Sequence, residues 1–452
     1  MSVSKSLLVG LTFALLAGAA QAQVALPSAR LPGLPGGGLP GIGAPTGGIG
    51  LPGGVDSDID RAGSRLRGAV DARQLAALRR QRITALIRRY PRLIERDPLG
   101  NAAVRGELVA YAPSDAALDR ARAAGFTIVS DRSLGGLGAR IVVLRAPDRL
   151  STRRALDALR TLDPGGTYDF NHLYSESGDT ASAEARSAAD RYSAPSAAFV
   201  IRIGLIDSGV EARHPVFDDV PVQLHGCGGA AVPAEHGTEV ASLLVGRSAR
   251  FRGAAPGATL FAADVYCGAP TGGAVDTIAE AFDWLARDRV PVINVSLVGP
   301  PNALLATIVR SLVARGYLIV AAVGNDGPAA PPLYPAAYPG VVGVTGVDAR
   351  GQVLIEAERG AQVRFAAPGA DMSAALPPRG FAEVRGTSFA APIVAGLLAS
   401  SMAAPEPAAA ARALESLERR AVDLGARGVD SVYGYGLVGA DLRPEPALAR
   451  SQ

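Results

Sequence analysis

Four polar residues sit where a fold can concentrate chemistry. Asp207 follows the apolar run Ile203-Gly204-Leu205-Ile206 and precedes Ser208-Gly209. His236-Gly237-Thr238 opens an apolar helical run, and Asn325 follows Ala321-Ala322-Val323-Gly324. Ser388 lies in Gly386-Thr387-Ser388-Phe389-Ala390-Ala391-Pro392, again at a helix start. Taken singly, each has an ordinary reading as a turn residue, a helix N-terminal residue or an N-cap. Taken together, they supply what acyl transfer requires. A serine hydroxyl is a poor nucleophile at neutral pH and needs a histidine to accept its proton. That imidazole needs a carboxylate to fix its tautomer, and the tetrahedral oxyanion needs preplaced N–H donors.

The elements that must carry these residues are equally legible. Val200 to Ile206, Leu260 to Tyr266, Val290 to Leu297, Tyr317 to Val323 and Val341 to Val347 read as buried strands. Between them lie helical patterns, one through Val275, Ile278, Phe282 and Leu285, another through Leu304, Ile308, Val309 and Leu312. Apolar strands alternating with amphipathic helices predict an α/β fold, a mostly parallel sheet with helices on both faces. In such sheets chemistry gathers at the carboxyl ends of the strands, where Asp207 and Asn325 fall.

The rest of the chain is organised around that block. Residues 1–22 read as a signal peptide: Lys5, an apolar run from Leu7 to Ala17, then Ala20-Gln21-Ala22. No later stretch reaches about 20 apolar residues, so no membrane span is expected in the mature chain. Residues 23–55 form a Pro/Gly-rich linker, and 56–103 an Arg-rich helical extension to which no chemistry is assigned. Residues 104–174 read as a small α+β unit in the order β-α-β-β-α-β, a ferredoxin-like pattern, with Ser114 and Ser151 capping its helices. A Ser/Ala-rich linker, 175–198, leads into the block at 199–442, and 443–452 is a tail. The chain has 452 residues, 48% of them apolar, and a net charge of +3; with aromatics at 5%, it is not expected to bind nucleic acid. Cys227 and Cys267 are the only cysteines, and an exported chain with an even count usually pairs them. Two separate buried thiols are the alternative.

With four motifs in this order, residues 199–442 resemble a subtilisin-like serine peptidase of the subtilase family, in which the triad also runs Asp-His-Ser. The resemblance implies that Ser388 attacks the scissile carbonyl, that His236 is general base and then acid, and that Asp207 orients it. It also implies that the Asn325 amide and the Ser388 N–H bind the oxyanion. Ser296, Leu297 and Val298 correspond to the edge that pairs with an extended peptide, and Ala322, Val323 and Gly324 to the opposite wall of the primary pocket. Leu333, where the family often has glycine at the pocket base, predicts a preference for small or medium apolar side chains before the cut. The α+β unit resembles the family's intramolecular chaperone and inhibitor in element order. The family's calcium loop corresponds to residues 246–253, which hold three arginines and no carboxylate; no metal is expected there, and no cofactor.

The expectation is therefore an exported serine endopeptidase, periplasmic or extracellular, made as a self-processed precursor. Its partners are peptide or protein substrates and its own propeptide. The alternative is a catalytically silent subtilase-like binding or structural protein. A lipase or esterase would show Gly-x-Ser-x-Gly, which the Ser388 segment lacks.

Overall fold

The computed structural model describes residues 75, 77–177, 179–181 and 200–450. The signal-peptide segment, the Pro/Gly-rich linker and most of the 175–198 linker lie outside the described residues. Helix α1 covers residues 77–89. There follow β1 (Ile94–Arg96), β2 (Ala102–Tyr111), α2 (Asp115–Ala123), β3 (Thr127–Leu134), β4 (Ala139–Arg145), α3 (Thr152–Leu162) and β5 (Thr167–His172). The Ser114 and Ser151 side chains cap α2 and α3 by accepting from backbone N–H groups three residues on. These strands form one antiparallel sheet in which β5, β2, β4 and β3 are successive neighbours and β1 extends the near end of β2. The sheet thus starts at Ile94, about ten residues before the boundary expected from sequence, because β1 and the first half of β2 pair with each other.

Two short strands come next, β6 (Ser175–Glu176) and β7 (Asp179–Ala181). The larger sheet is built from β8 (Arg202–Asp207), β9 (Val222–Gly226), β10 (Thr259–Asp264), β11 (Val292–Val295), β13 (Leu318–Ala322), β14 (Val342–Val347) and β15 (Val363–Pro368). A two-residue strand, β12 (Leu297–Val298), lies between β11 and β13, and β16 (Met372–Ala375) and β17 (Phe381–Arg385) form a separate hairpin. The seven strands are all parallel, in the order β15-β14-β13-β11-β8-β10-β9. Helices α4 (Glu235–Val245), α7 (Thr387–Ala399) and α8 (Pro407–Glu418) cover one face, α5 (Val275–Arg287) and α6 (Ala303–Ala314) the other, and a short α9 (Ala447–Arg450) ends the described chain.

Strand alternation explains the two cores. Ile203 and Leu205 point into the cluster with α4 and α7, while Ile206 joins the cluster with α5 and α6. Gly204, between them, lets α5 pack close, since a Cβ there would sit 3.0 Å from Leu285 Cδ1. The smaller sheet uses the same alternation. Leu108, Ala110, Val142 and Leu144 face α2 and α3, whereas Val109, Ile141 and Val143 enter the core formed with α5 and α6. Polar contacts add to this seam: Asp283 accepts from the Gly136 and Leu137 N–H groups, and Arg132 pairs with Glu280. Among the described residues no helix is long and apolar enough to cross a membrane.

The Cys227 and Cys267 sulfurs are bonded, with Cα atoms 5.2 Å apart and a sequence separation of 40. A loop of that length predicts a loss of ~4 kcal/mol on Cys227→Ser with Cys267→Ser, measured by denaturant unfolding. Two thiols titrated in the denatured, unreduced protein would remove the pairing.

Candidate active site

Asp207 is the last residue of β8 and is fully buried; its Oδ1 accepts from the Ser208 N–H and lies 2.7 Å from His236 Nδ1. His236 stands in the first turn of α4, held there by Gly237, whose N–H donates to Ser208 Oγ at 3.0 Å. Burial works against the imidazolium, but the Asp207 carboxylate outweighs it, with smaller help from Glu176 and Glu239. The imidazole is pushed up to about 9.

Ser388 is the second residue of α7. The chain enters that helix through Gly386 at φ 144°, a conformation that side chains rarely adopt. Asn325 follows β13 by three residues and is fixed from the α7 side: its Oδ1 accepts from the Thr387 N–H at 3.1 Å. Thr387 Oγ1 in turn accepts from the Gly324 N–H at 3.2 Å. Pro392, one turn into α7, has no N–H for the Ser388 carbonyl. That carbonyl is taken instead by Ser296 Oγ at 3.0 Å, itself held by Asn294 Nδ2 at 2.9 Å.

The cleft is occupied by the chain's own segment before the peptidase block. β6 pairs antiparallel with β12, Glu176 opposite Leu297 and Ser175 opposite Val298. The Ser177 N–H donates to the Ser296 carbonyl at 3.3 Å, and the Ser177 carbonyl accepts from the Ser388 N–H at 3.1 Å. Asn325 Nδ2 donates to Ser177 Oγ at 3.2 Å. On the far side β7 pairs antiparallel with β17. Residues 175–176 and 179–181 are therefore paired strand where the sequence predicts linker: their backbone groups find partners on the cleft edges that composition cannot show. Desolvation by the cleft walls pushes the Glu176 carboxyl up, although the residue as a whole is exposed; Asp207 adds to the rise and His236 opposes it.

The structure brings Asp207, His236, Asn325 and Ser388 to one end of the parallel sheet. Ser388 Oγ lies 3.5 Å from the Ser296 carbonyl, and His236 Nε2 is buried without a hydrogen-bond partner. Of the residues expected to bind peptide, Ser296 contributes its carbonyl, Leu297 and Val298 form β12, and Val298 lines the cleft. The side chains of Ala322 and Val323 turn away from it. Adjacent residues of a strand face opposite ways, so Ala322 is buried in the α4/α7 core and Val323 in the α5/α6 core. Leu333 is buried against Gly324, its Cδ1 2.8 Å from where a Cβ would stand, and it follows β13 into the cis peptide Tyr334–Pro335.

The other histidines have structural partners. His172 donates to Asp97 and accepts from Asn302, His214 contacts the Gly380 carbonyl, and His225 stacks on Trp284.

Sequence reasoning missed Thr387, Ser177 and Glu358. Glu358 is fully buried beside Gly324, one oxygen accepting from the Leu333 N–H at 3.1 Å and the other unpartnered. Burial pushes its carboxyl up to about 9, and the nearby Asp326 adds to the rise. The folded state then keeps a proton that the unfolded chain loses near 4.5. Stability is highest below that value and falls as pH rises toward 9. Glu358→Gln is expected to flatten this fall, read as urea midpoints at pH 5 and pH 9 in a Ser388→Ala background. Identical pH dependence with and without the substitution would exclude Glu358 as its source.

With the geometry in hand, the comparisons decide the family. The model described as "Subtilase family" matches residues 200–436. The chain belongs to the subtilase family. Subtilisin BL and Subtilisin Savinase of Lederbergia lenta are each 33% identical over 253 residues, covering 53% of this chain and 89% of the relative. Subtilisin E of Bacillus subtilis is 32% identical over 254 residues, covering 53% of this chain and 64% of that protein. Among solved structures, fervidolysin of Fervidobacterium pennivorans, a keratinolytic enzyme related to subtilisin, superposes with a TM-score of 0.61 at 19% identity. It covers 75% of this chain and 61% of that one, a likeness of fold. This subtilase is a serine endopeptidase, with the α/β architecture of its family.

Proposed function

We propose that this subtilase is exported, is made as a precursor, and hydrolyses peptide bonds through Asp207, His236 and Ser388, cutting itself first. The observation that carries this reading is the hydrogen bond from the Ser388 N–H to the Ser177 carbonyl at 3.1 Å. It is where the oxyanion of a peptide cleaved after Ser177 would need a donor. The leader-like residues 1–22 support export. The smaller sheet, seated on α5 and α6, supports a propeptide role for the unit before the cut.

In the reaction, carried by the fraction of His236 that is neutral, Ser388 Oγ turns from the Ser296 carbonyl toward His236 Nε2 and attacks the carbonyl carbon as the imidazole takes its proton. The Ser388 N–H and Asn325 Nδ2 hold the oxyanion, Asn325 leaving Ser177 Oγ to do so. Collapse breaks the C–N bond, and His236 passes its proton to the departing amine. Water, deprotonated by His236, then releases the acyl group from Ser388. A primary pocket narrowed by Leu333, as the family resemblance implies, would take a side chain as small as that of Ser177. A preference for small residues at that position is expected in kcat/KM over peptides varied there alone. Equal or better cleavage after Phe would contradict it.

Self-cutting is tested by mass spectrometry of the earliest fragments formed by the purified precursor. The expected pair ends at Ser177 and begins at Gly178. A first cut elsewhere, or none, overturns the assignment.

A further inference from the structure

Helix α1 belongs neither to the sheets nor to the substrate strand, yet it lies over the cleft. Leu75, Leu78, Arg79, Arg82 and Leu86 fall at spacings that share one helical face, and all five line a cleft of about 920 Å3. Its other walls include Ser175–Ser177, Asn325 and Asp326. Arg79 Nη1 sits 2.7 Å from Asp326 Oδ2, with both side chains largely covered. At the other end Ile83, Leu86, Ile87 and Tyr90 pack on Ile94, Ala102, Leu173 and Ala274. That cluster joins the smaller sheet (Ile94, Ala102), the strand leading into the cleft (Leu173) and the peptidase block (Ala274). The helix therefore reaches from a three-way seam to the residue next to the oxyanion amide. The sequence, read alone, marks this stretch as an Arg-rich helical extension without chemistry.

We propose that the cleft carries a second docking surface, beside the one that pairs with extended peptide, that takes a basic amphipathic helix. In the precursor its occupant is α1, latched by Arg79 on Asp326. The proposal rests on the reading that the chain cuts itself after Ser177. Because α1 lies before the cut, it stays with the released unit. A cut alone then leaves the new carboxyl end at Ser177 pinned under the helix, and activity waits for α1 to leave. Residues 175–177 hold substrate geometry, while the helix sets how long the cut fragment blocks the site.

The test runs two clocks on the full chain: appearance of the fragment beginning at Gly178, and hydrolysis of a chromogenic peptide. Arg79 leaves with the released unit, so Arg79→Ala leaves the final activity unchanged. The interval between the two clocks shortens about fivefold, the upper range for a partly covered ion pair. Arg79→Lys keeps most of the interval, and Arg79→Asp with Asp326→Arg restores it. Raising salt to about 1 M shortens the interval in the native chain and not in Arg79→Ala. An unchanged interval in Arg79→Ala, with the cut after Ser177 intact, overturns the docking surface alone. Absence of that cut in the native chain overturns the self-processing reading and this proposal with it, and the fragment masses separate the two.

Discussion

A Ser388→Ala chain is expected to persist as uncut precursor, and its hydrolysis of added peptide is expected to fall by ~10⁶ in kcat. The size follows from how the site is assembled. In the proposed mechanism Ser388 Oγ is the one atom that forms and breaks the covalent bond, and His236 and Asp207 act only through it. His236→Ala should lose about as much, and the double variant scarcely more, because the three groups work as a unit. What remains, once the variant's peptidase block is freed of the preceding segment by cleavage in trans, is the rate supplied by the Ser388 N–H, the Asn325 amide and peptide pairing on β12. The substitution leaves that N–H in place, so the Ser177 carbonyl keeps its donor and the precursor keeps its fold. Gel and peptide assays on the refolded variant read both effects. A Ser388→Ala chain that still cuts itself after Ser177 would remove Ser388 as nucleophile.

Asn325→Ala is expected to lower kcat by ~10²–10³ with KM little changed, as for loss of one oxyanion donor. The amide faces the reacting centre and adds little to ground-state pairing, which runs through Ser296 and β12. In the occupied cleft Nδ2 rests on the Ser177 hydroxyl, so its catalytic bond forms only as charge develops on the carbonyl oxygen. The same side chain also accepts from the Thr387 N–H, and truncation leaves that group without its partner. Asn325→Asp keeps the acceptor and loses the donor. A similar fall in kcat for both variants, with similar melting temperatures, assigns the effect to the donor. An unchanged kcat in a folded Asn325→Ala enzyme removes Asn325 from the mechanism.

The peptidase block was legible because its signals are local and redundant. Apolar runs from Val200 to Ile206 and from Tyr317 to Val323 end in the residues that do chemistry, and the strands formed within a few residues of those bounds. The motifs at Asp207, His236, Asn325 and Ser388 carried their own turn and helix-start residues. Ser114 and Ser151 announced two helices by the same local logic, and both cap as expected. What stayed hidden depends on distant partners. β6 and β7 lie in a segment with the composition of a linker and become strand only because β12 and β17 offer unpaired edges more than a hundred residues away. Glu358 reads as one more surface acid until the fold closes over it. Arg79 is one arginine among many in its stretch, and only the position of Asp326 singles it out. Ala322 and Val323 lie beside the site in sequence, and the fold turns both side chains into core.

The proline in α7 makes one rigid joint out of two functions. Because Pro392 leaves the Ser388 carbonyl free, Ser296 reaches across and fastens the backbone of the nucleophile to the strand edge that aligns the peptide. A small displacement of that edge carries the attacking residue with it, so the distance between them is preserved while both drift relative to the imidazole. Misalignment in this enzyme should therefore show up between serine and histidine rather than between serine and substrate. The side chain with room to absorb it is Ser388's own hydroxyl, which rests on the Ser296 carbonyl until it turns.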